Sequence, residues 1–588
     1  MRWTEEELTA VRPSPRQIRY QQRELIGFVH FTVNTFTDRE WGDGTEDPAV
    51  FNPDRLDAGQ WARTARAAGM RGLILTARHH DGFCLWPTKT TDHNISRSPF
   101  RGGHGDVVAE CAEACRAYGL DFGIYLSPWD RHSPVYGEGE AYDDIYVRQL
   151  EELLTGYGDI FCVWMDGACG EGPNGRKQRY DWERYYAAVR RLQSQCCICI
   201  CGEDVRWCGN EAGQTRRAEW SVVDAALRDA EKVAAKSQHE DSDAFRKKVS
   251  SSEEDLGSRE ALEKADKLCW YPCEVDTSIR PGWFYHDAEN EHVKSLSKLM
   301  DTYYKSVGRN STLLLNFPIA PNGRIHPNDS LRGIAFKKMI DEVFVNGSVE
   351  FRVDSLEFAT ALPESSGTAA ANSKFYTLNF KQPTSFNRFL AEEDIAQGQR
   401  VKKFSLEAEV DGRWQPLKDA LVEEGDGLTT IGHRRIICFP TVTATRLRFK
   451  VTDAKCEPVI KRLGVYLAPE LTADIPDSGE KKSSALHIFF GSSMQMFIDW
   501  DTEQTISAFR YLPPQNGQDG TITHYTLWGS TNWSDWTKLA SGEFSNIVNN
   551  PIWQTIRFAP TKIRVLRFEA DRLANGTRMG YGDIEVCY

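Results

Sequence analysis

From residue 25 to residue 345, short apolar runs alternate along the chain with longer amphipathic stretches. The stretch Val107–Tyr118 places its apolar residues three or four positions apart, which predicts a helix with one buried face. A second helix is predicted over Asp54–Ala68. The apolar runs have the length of buried strands, and seven are visible: Leu25–Phe31, Gly72–Ala77, Phe122–Ser127, Ile160–Met165, Cys197–Cys201, Glu274–Ile279 and Leu313–Phe317.

This alternation of strands and helices indicates a parallel sheet, because parallel strands need a long crossover between them. Seven predicted strands in this length fit a closed (β/α)8 barrel better than an open sheet, although no eighth run is evident. The segment from 224 to 267 interrupts the rhythm, since it is dense in charge and alanine. We expect a long helical excursion on a barrel loop with a solvated face; a lid or a partner-binding element is the alternative.

After residue 345 the pattern changes to short alternating stretches separated by turn residues, which is typical of β-sandwiches. A polar segment, Asp474–Ser484, is expected to link two such modules. The predicted fold class is therefore α/β: a (β/α)8-type barrel over 1–345, a β-sandwich over 346–472 and a second β-sandwich over 485–588. The predicted sandwich strands are Thr377–Phe380, Lys403–Val410, Arg434–Phe439, Ala444–Val451, Gln495–Asp499, Ile506–Tyr511, His524–Gly529, Trp553–Phe558, Val565–Ala570 and Ile584–Val586.

The composition narrows the classes of function. The chain has 588 residues, of which 40% are hydrophobic and 26% are charged, as expected for globular domains. A formal net charge of −13 argues against nucleic acid or an anionic membrane as a partner. No apolar run approaches the ~20 residues of a membrane span. The N-terminus lacks the apolar core of a signal peptide, so we expect a cytoplasmic protein, or a secreted or periplasmic one if a leader has been removed.

The cysteines are concentrated in one region, with five of the 15 between residues 196 and 208. They alternate with isoleucine in Cys196-Cys197-Ile198-Cys199-Ile200-Cys201, which favours a buried strand that uses Cys as a small apolar residue. A zinc site is the alternative, but two separated Cys-x-x-Cys pairs are missing. The odd number of cysteines suits reduced thiols.

Chemistry-bearing residues follow the predicted strand ends, and in a barrel the catalytic groups lie at that rim. Glycoside hydrolysis needs two carboxyl groups; in a retaining enzyme one attacks the sugar and the other protonates the leaving oxygen. Asp166 ends the fourth apolar run and Glu211 lies on the next loop, so the two could meet over the barrel mouth. Asp166 could instead cap a helix, Glu211 could be a surface residue, and Asp204 and Glu219 are rival acids.

Other residues at this rim also allow two interpretations. His79 and His80 could be metal ligands, but neighbouring strand residues point to opposite faces, so hydrogen bonds to sugar hydroxyls are favoured. Arg206 could hold a carboxylate or a ring hydroxyl, or it could form a structural salt bridge. Three tryptophans could stack on a sugar or pack in the core: Trp164, Trp207 and Trp283.

Several separate motifs occur in a definite order: His30, Glu40-Trp41, His79-His80-Asp81-Gly82-Phe83, Tyr125, Trp164-Met165-Asp166-Gly167 and Ser311–Pro321. Together they resemble the α-L-fucosidases of glycoside hydrolase family 29, over residues 20–345. The resemblance implies a retaining mechanism with Asp166 as nucleophile and no cofactor for catalysis. It also implies a pocket for fucose, whose expected residues are His30, Glu40, Trp41, His79, His80, Tyr125, Trp164, Arg206 and Trp283.

Two further segments, Val205–Glu211 and Ser278–Tyr285, resemble the subgroup of this family that prefers α-1,3/1,4-linked fucose on branched, Lewis-type glycans. On that pattern Glu211 is the acid/base, and the loop around Asp181-Trp182 faces the aglycone. The expected partners are fucosylated oligosaccharides or glycoconjugates. The alternatives are a fucosidase of broader or α-1,2 linkage preference, an inverting or metal-dependent hydrolase, and a catalytically inactive carbohydrate-binding protein.

The C-terminal stretch Ile506–Phe544 is similar to the discoidin-like, galactose-binding sandwiches of carbohydrate-binding family 32. The resemblance implies a carbohydrate-binding module, and such modules often hold a structural calcium, for which the sequence does not indicate ligands. The region 346–470 looks like another sandwich.

Overall fold

The computed structural model describes residues 2–236, 255–346, 348–351, 358–360, 374–423, 425–471, 487–515, 519–544, 547–548, 551 and 553–587. Ten strands are described before residue 345: β1 (Leu25–Val29), β2 (Gly72–Arg78), β3 (Asp121–Leu126), β4 (Ile160–Met165), β5 (Cys197–Ile200), β6 (Arg206–Trp207), β7 (Val222–Asp224), β8 (Leu268–Trp270), β9 (Cys273–Ser278) and β10 (Ser311–Asn316).

Eight of these strands form a parallel barrel. They pair in the order β5-β4-β3-β2-β1-β10-β9-β6, and a parallel bridge between Cys199 and Val205 joins the two ends of this order. β7 and β8 form a separate antiparallel pair. Because side chains fill the interior and helices cover the outside, nearly every residue of the parallel strands is buried.

The barrel confirms the predicted fold class and the seven predicted strands. The strand that the sequence did not reveal is β6, which contains only Arg206 and Trp207. Two residues are too few to produce a visible apolar run, and this strand forms only because β9 pairs with it on one side.

Helices cover the barrel, and polar residues fix where several of them begin. Ser14 and Gln17 form a capping box at the second helix, Asp106 caps the fifth and Asp181 caps the seventh. The helices are α1 (Glu5–Ala10), α2 (Pro15–Arg23), α3 (Val33–Thr37), α4 (Ala58–Ala67), α5 (Val107–Ala117), α6 (Glu140–Gly156), α7 (Trp182–Leu192), α8 (Ala230–Lys236), α9 (Arg259–Leu262), α10 (Leu296–Lys305) and α11 (Pro327–Asp341). Shorter turns of helix cover Pro48–Val50, Ile95–Arg97, Phe100–Gly103, Ala225–Arg228, Asp287–Glu289, Glu342–Asn346 and Ile395–Gln397. The two predicted helices are confirmed as α4 and α5.

The prediction of a long helix over 224–267 is wrong for the described part of that segment. It contains α8 and α9, which are short, and residues 237–254 lie outside the described residues. Ser258 caps α9 as a new helix rather than continuing an earlier one. Ala230 and Val233 of α8 pack against the barrel core, so this face of the segment is not solvated.

Two antiparallel β modules follow the barrel. The first contains β11 (Ser348–Phe351), β12 (Phe358–Thr360), β13 (Lys374–Glu393), β14 (Val401–Val410), β15 (Arg413–Leu417), β16 (Arg435–Ala454) and β17 (Ile460–Tyr466). The second contains β18 (His487–Ser492), β19 (Gln495–Leu512), β20 (Ile522–Ser530), β21 (Thr537–Glu543), β22 (Gln554–Leu573) and β23 (Asp583–Cys587). Each module has its own apolar core.

Several predicted sandwich strands are halves of one longer strand. β16 begins one residue into the predicted strand Arg434–Phe439 and also contains the predicted strand Ala444–Val451. β19 contains both Gln495–Asp499 and Ile506–Tyr511. The pairing register shifts within each long strand, between Asp499 and Gln504 in β19 for example. Such irregularities bend a strand, so that its two halves can serve different layers of a sandwich. The predicted linker Asp474–Ser484 lies outside the described residues.

Ion pairs join the first β module to the barrel. Glu24, at the end of α2, accepts hydrogen bonds from His433 (2.9 Å) and Arg434 (2.6 Å). Of the 15 cysteines, 13 are buried, as expected of cysteines that serve as small apolar residues. No helix among the described residues is long and apolar enough to cross a membrane.

Candidate active site

A pocket opens at the carboxyl ends of the barrel strands. Its cavity has a volume of about 60 Å³. Most of the predicted site residues meet there, because parallel strands deliver their C-terminal residues to one rim. The lining residues are Phe28, His30, Trp41, His79, His80, Tyr125, Trp164, Asp166, Ala168, Glu211, Asp276 and Trp283.

Asp166 follows β4 directly and is held by several donors. Its Oδ2 accepts a hydrogen bond from the Tyr125 hydroxyl (2.8 Å), and its Oδ1 accepts one from the Ala168 amide (2.7 Å). Burial raises the pKa of Asp166, whereas these hydrogen bonds oppose that rise by favouring the carboxylate. Asp166 does not cap the following helix, because Asp181 does so. The carboxyl group is therefore free to face the pocket in a fixed orientation.

Three histidines form one side of the pocket. Burial lowers the pKa of His30 to about 3 and lowers the pKa of His79 and of His80 well below the ordinary value. The Nδ1 atom of His80 is 2.7 Å from the Ser127 hydroxyl, and its Nε2 is 3.9 Å from Asp166 Oδ2. All three rings are neutral at physiological pH, so each offers one donor and one acceptor nitrogen.

Asn316, the last residue of β10, fixes the tautomer of His30. Its amide nitrogen donates to the Trp283 carbonyl and to the Ser278 hydroxyl, both at 2.9 Å. Its amide oxygen, 2.8 Å from His30 Nδ1, must therefore be the acceptor, and Nδ1 carries the proton. His30 Nε2 is then an acceptor. Asn316 thus orients two lining residues at once, His30 and Trp283.

Glu211 lies across the pocket mouth on the loop after β6. Its Oε2 accepts a hydrogen bond of 3.0 Å from the Trp283 indole, and its backbone carbonyl accepts one of 3.0 Å from the Thr277 hydroxyl. Both contacts come from the segment at and after the end of β9. The predicted neighbours Asp166 and Glu211 therefore line one pocket, each with its carboxyl group held by hydrogen bonds.

Glu40 is turned away from the pocket lining. Its carboxylate accepts hydrogen bonds from the backbone amides of Trp283 (2.9 Å) and Phe284 (3.1 Å), and it lies 3.0 Å from His286 Nε2. It therefore shapes the loop that carries Trp283. The next residue, Trp41, does line the pocket and meets the His80 ring edge-on at 5.3 Å.

The expectation that Arg206 holds a sugar hydroxyl does not fit the structure. Arg206 is 6% exposed and forms a buried ion pair with Glu219, and it also donates to the carbonyls of Tyr271 and Trp220. Its side chain is directed away from the lining because β6 buries it behind the barrel wall. The alternative of a structural salt bridge is the one that the geometry supports.

The two rival acids are likewise structural. Glu219 is fully buried between Arg206 and Arg216, which lower its pKa against the effect of burial. Asp204 is held by Arg16 at 2.7 Å and by Arg190. Neither acid lines the pocket, whereas Asp166, Glu211 and Asp276 do.

Trp182, expected at the aglycone side, is 7% exposed and packs in the barrel core at the start of α7. No group of three or more His, Cys, Asp or Glu side chains that could hold a metal ion occurs in the part of the chain that is described.

Four residues that line the pocket or support its lining were not singled out from the sequence: Phe28, Ala168, Asp276 and Asn316. Asn316 is the last residue of β10, so the rule that chemistry follows barrel strand ends could have indicated it, whereas Asp276 lies two residues before the end of β9. Phe28 precedes the strand end by one residue and Ala168 follows Asp166 closely, and neither carries a chemical signal.

A pocket at the C-terminal mouth of a β/α barrel, lined by carboxyl groups, neutral histidines and aromatic rings, is the arrangement expected of a glycoside hydrolase. Comparison with known families agrees. Residues 15–335 match the Alpha-L-fucosidase family, and residues 491–584 match the F5/8 type C domain. The chain belongs to the α-L-fucosidase family, glycoside hydrolase family 29.

Relatives extend this result over nearly the whole chain. An Alpha-L-fucosidase 1 from Arabidopsis thaliana is 37% identical over 478 residues, covering 77% of this chain and 87% of the relative. A crystal structure of a glycoside hydrolase 29 family member from an unknown rumen bacterium is 56% identical, with a TM-score of 0.68, and 98% of this chain and 99% of that chain are covered. A Ruminococcus gnavus GH29 fucosidase in complex with fucose is 28% identical, with a TM-score of 0.64, and 78% of this chain and 95% of that chain are covered.

Proposed function

We propose that this protein is a retaining exo-α-L-fucosidase that releases α-1,3/1,4-linked fucose from branched, Lewis-type glycans. The observation that carries the proposal is that Asp166 and Glu211 line one pocket, while the two rival acids that the sequence offered, Asp204 and Glu219, are held in ion pairs. Asp166 is the nucleophile and Glu211 is the general acid/base. Retaining enzymes place the two carboxyl groups ~5–5.5 Å apart, which leaves no room for a water between them and the sugar.

The reaction proceeds in two displacements. In the first, Asp166 attacks the anomeric carbon of fucose while Glu211 gives its proton to the glycosidic oxygen, which leaves with the remaining glycan. In the second, Glu211 removes a proton from water, and the water oxygen displaces Asp166 from the same carbon. Two inversions restore the original configuration. Tyr125 holds Asp166 in line through its hydrogen bond of 2.8 Å.

The pocket suits fucose, which carries hydroxyl groups and one apolar methyl group. His30 presents Nε2 as an acceptor, and His79 and His80 add further neutral ring nitrogens for the hydroxyls. Phe28 and Trp164 supply apolar surface for the sugar ring or its methyl group. Neutral rings are an advantage here, because hydrogen bonds to an uncharged sugar avoid the cost of burying a charge.

The linkage preference is supported by two segments that carry the subgroup resemblance. Val205–Glu211 and Ser278–Tyr285 meet at the pocket mouth, where the Trp283 indole donates to Glu211. The glycan beyond fucose must pass this contact, since Glu211 protonates the oxygen that joins the two.

The test is to measure fucose release from a Lewis-type trisaccharide, from an α-1,2-fucosylated trisaccharide and from an aryl α-L-fucoside. We expect the Lewis glycan to be cleaved most efficiently and its first product to be α-fucose, detected by NMR before mutarotation. Preferred cleavage of the α-1,2 substrate would contradict the linkage preference alone, and initial β-fucose would contradict retention. If none of the three substrates is cleaved, the alternative of a catalytically inactive carbohydrate-binding protein is favoured.

Variants assign the two acids separately. Asp166→Ala should abolish turnover of every fucoside. Glu211→Ala should abolish turnover of the glycan but keep the first step on an aryl fucoside with a good leaving group, and azide should then restore turnover by trapping the intermediate. Asp204→Asn is the matched control, because this buried acid belongs to an ion pair outside the pocket. A chelator should leave the wild-type rate unchanged; loss of activity would favour the metal-dependent alternative.

For the C-terminal module we propose carbohydrate binding. Trp533 is 37% exposed and Phe489 is 42% exposed, and their rings stack at 5.8 Å. Exposed stacked aromatic rings offer a platform for the apolar face of a sugar. Trp533→Ala should weaken retention of the enzyme on immobilised glycan without changing its rate on a soluble fucoside, whereas unchanged retention would contradict this assignment.

A further inference from the structure

The loop that carries Trp283 is joined to the loop after β1 by a histidine that the proposed mechanism does not use, His286. Asp38 and Glu40 follow α3 on the loop after β1, whereas His286 follows Trp283 on the loop after β9. The Nδ1 atom of His286 is 2.6 Å from Asp38 Oδ1, and its Nε2 is 3.0 Å from Glu40 Oε1. Because β10 lies between β1 and β9, these contacts link two barrel loops across the end of β10.

This geometry requires a proton on both ring nitrogens of His286. A carboxylate oxygen only accepts hydrogen bonds, and a neutral imidazole has one donor nitrogen, so an imidazolium is needed to donate to Asp38 and Glu40 at once. Two backbone amides donate to Glu40, one to each oxygen, which favours its carboxylate form. The His286 side chain is 7% exposed. Burial disfavours the charged ring, but the two acids and the nearby Glu289 raise the pKa of His286 well above its ordinary value.

Other charged groups near His286 come from its own loop and from the second β module. Glu289 lies on the short helical turn that follows it, and Glu543 of β21 interacts with it electrostatically. Arg280 donates to the His286 backbone carbonyl at 3.3 Å, and its charge is matched by a buried ion pair with Asp329. Negative charge therefore predominates around the ring, which favours the imidazolium.

Glu40 transmits the position of His286 to Trp283. Its Oε2 accepts a hydrogen bond from the Trp283 amide (2.9 Å), and its Oε1 accepts one from the Phe284 amide (3.1 Å). Two amides and one ring of the same loop thus converge on a single carboxylate. The Trp283 indole in turn donates to Glu211 Oε2 at 3.0 Å. The placement of the indole against Glu211 therefore depends on where His286 holds Glu40.

We propose that the His286 imidazolium is a positioning group, which holds Glu40 against the Trp283 amide. The Trp283 indole is thereby set against Glu211, the group that protonates the leaving glycan. The inference rests on the proposed role of Glu211 as acid/base. His286 itself is not among the residues that line the pocket, and its ring keeps both protons throughout the reaction. Loss of its bond to Glu40 should therefore affect mainly substrates whose leaving group needs a proton.

The test uses two substitutions that each keep one of the two donors. The amide nitrogen of Gln takes the place of His Nε2, and that of Asn takes the place of His Nδ1. His286→Gln can therefore still donate to Glu40, whereas His286→Asn can donate only to Asp38. For each variant, kcat/KM is measured on a Lewis-type trisaccharide and on an aryl α-L-fucoside whose good leaving group needs no proton.

His286→Asn should lower kcat/KM on the trisaccharide roughly 10- to 100-fold, because a misplacement of about 1 Å in a site costs up to about 100-fold. On the aryl fucoside the same variant should stay within about threefold of the wild type. His286→Gln should stay within about threefold on both substrates, because it keeps the bond to Glu40. A folded His286→Asn enzyme that cleaves the trisaccharide as well as His286→Gln does would overturn the inference.

A double-mutant cycle shows whether His286 acts through the Trp283 indole. Trp283→Phe keeps the backbone amide and an aromatic ring but removes the donor to Glu211. His286→Asn should then lower kcat/KM on the trisaccharide far less in the Trp283→Phe background than in the wild type, because both changes disturb the same contact. Additive losses, or equal losses on the two substrates, would show a general loosening of the loop and would reject the positioning role.

A measurement on the wild type covers the case in which His286→Asn does not fold. Neutron diffraction from deuterium-exchanged crystals at neutral pH locates the ring protons directly. Deuterium is expected on both Nδ1 and Nε2 of His286. Deuterium on one nitrogen alone would contradict the imidazolium and the proposal built on it.

Failure of the inference and failure of the proposed function are distinguishable. If Glu211→Ala leaves glycan cleavage intact, the acid/base assignment itself fails. If Glu211→Ala abolishes glycan cleavage while His286→Asn leaves it at the wild-type rate, the assignment of Glu211 stands and the role of His286 is rejected.

Discussion

The Tyr125 hydroxyl donates a hydrogen bond of 2.8 Å to Oδ2 of Asp166, joining the ends of two neighbouring barrel strands. This bond favours the ionised carboxylate, against burial, which favours the neutral acid. The proposed nucleophile is thus held in place by a residue that lies one strand away.

Tyr125→Phe removes this bond while keeping the ring. Hydrogen bonds to charged groups contribute ~1.5–3 kcal/mol, so the pKa of Asp166 should rise by about 1–2 units. The acidic limb of kcat/KM should move to higher pH by that amount. Tyr146→Phe is the matched control, because the Tyr146 hydroxyl is buried and donates to the Leu126 carbonyl. An unshifted acidic limb in Tyr125→Phe would argue against Asp166 as the nucleophile.

Asn316→Ala removes the amide that orients His30 and Trp283. Neutral hydrogen bonds contribute ~0.5–1.5 kcal/mol each, so KM for a fucoside should rise roughly 10-fold. Asn387→Ala is the control: its amide also makes buried hydrogen bonds, to the backbone of Ala468 in the first β module. That variant should lose stability with KM unchanged. Equal KM values in the two variants would show that Asn316 does not organise the sugar site.

Arg206→Met tests the ion pair assigned to Arg206. Removal of one partner leaves Glu219 buried with Arg216 as its remaining cation, and breaking a buried pair costs ~3–5 kcal/mol. The thermal midpoint of the barrel should fall, while KM of the folded enzyme should stay near the wild-type value. An unchanged midpoint with a strongly raised KM would restore Arg206 as a sugar ligand.

His30 links stability to pH. Its pKa is about 3 in the folded protein and ~6.5 when unfolded. Between these values the unfolded chain binds one more proton, so this residue makes stability fall by ~1.4 kcal/mol per unit as pH decreases. The wild-type free energy of unfolding, relative to that of His30→Gln, should therefore decrease by about 2 kcal/mol from pH 7 to pH 5. Above pH 7.5, the free energies of unfolding of the wild type and of His30→Gln should change with pH in parallel. Parallel curves down to pH 5 would contradict a neutral buried His30.

The sequence by itself determined the barrel and the nucleophile candidate. Strands such as Ile160–Met165 can be predicted from the local sequence, because a buried strand needs only a short apolar run between turn residues. The rule that barrel chemistry follows strand ends then singled out Asp166, Tyr125 and the histidine pair. β6 escaped detection because its two residues form no run, although the motif that contains it led to the proposal of Glu211 as the acid/base.

Tertiary structure alone decided what the remaining polar groups do. Arg206 could have faced sugar or acid, and the choice depended on Glu219 being buried beside it. His30 and Asn316 are 286 residues apart in the chain, and Trp164 and Glu274 are 110 apart, yet both pairs are hydrogen-bonded. Closure of the barrel brings such residues together. A pattern of neighbouring residues along the chain does not predict contacts between residues that are so far apart in sequence. For that reason the sequence located the rim of the site, while the fold decided which side chains face the sugar.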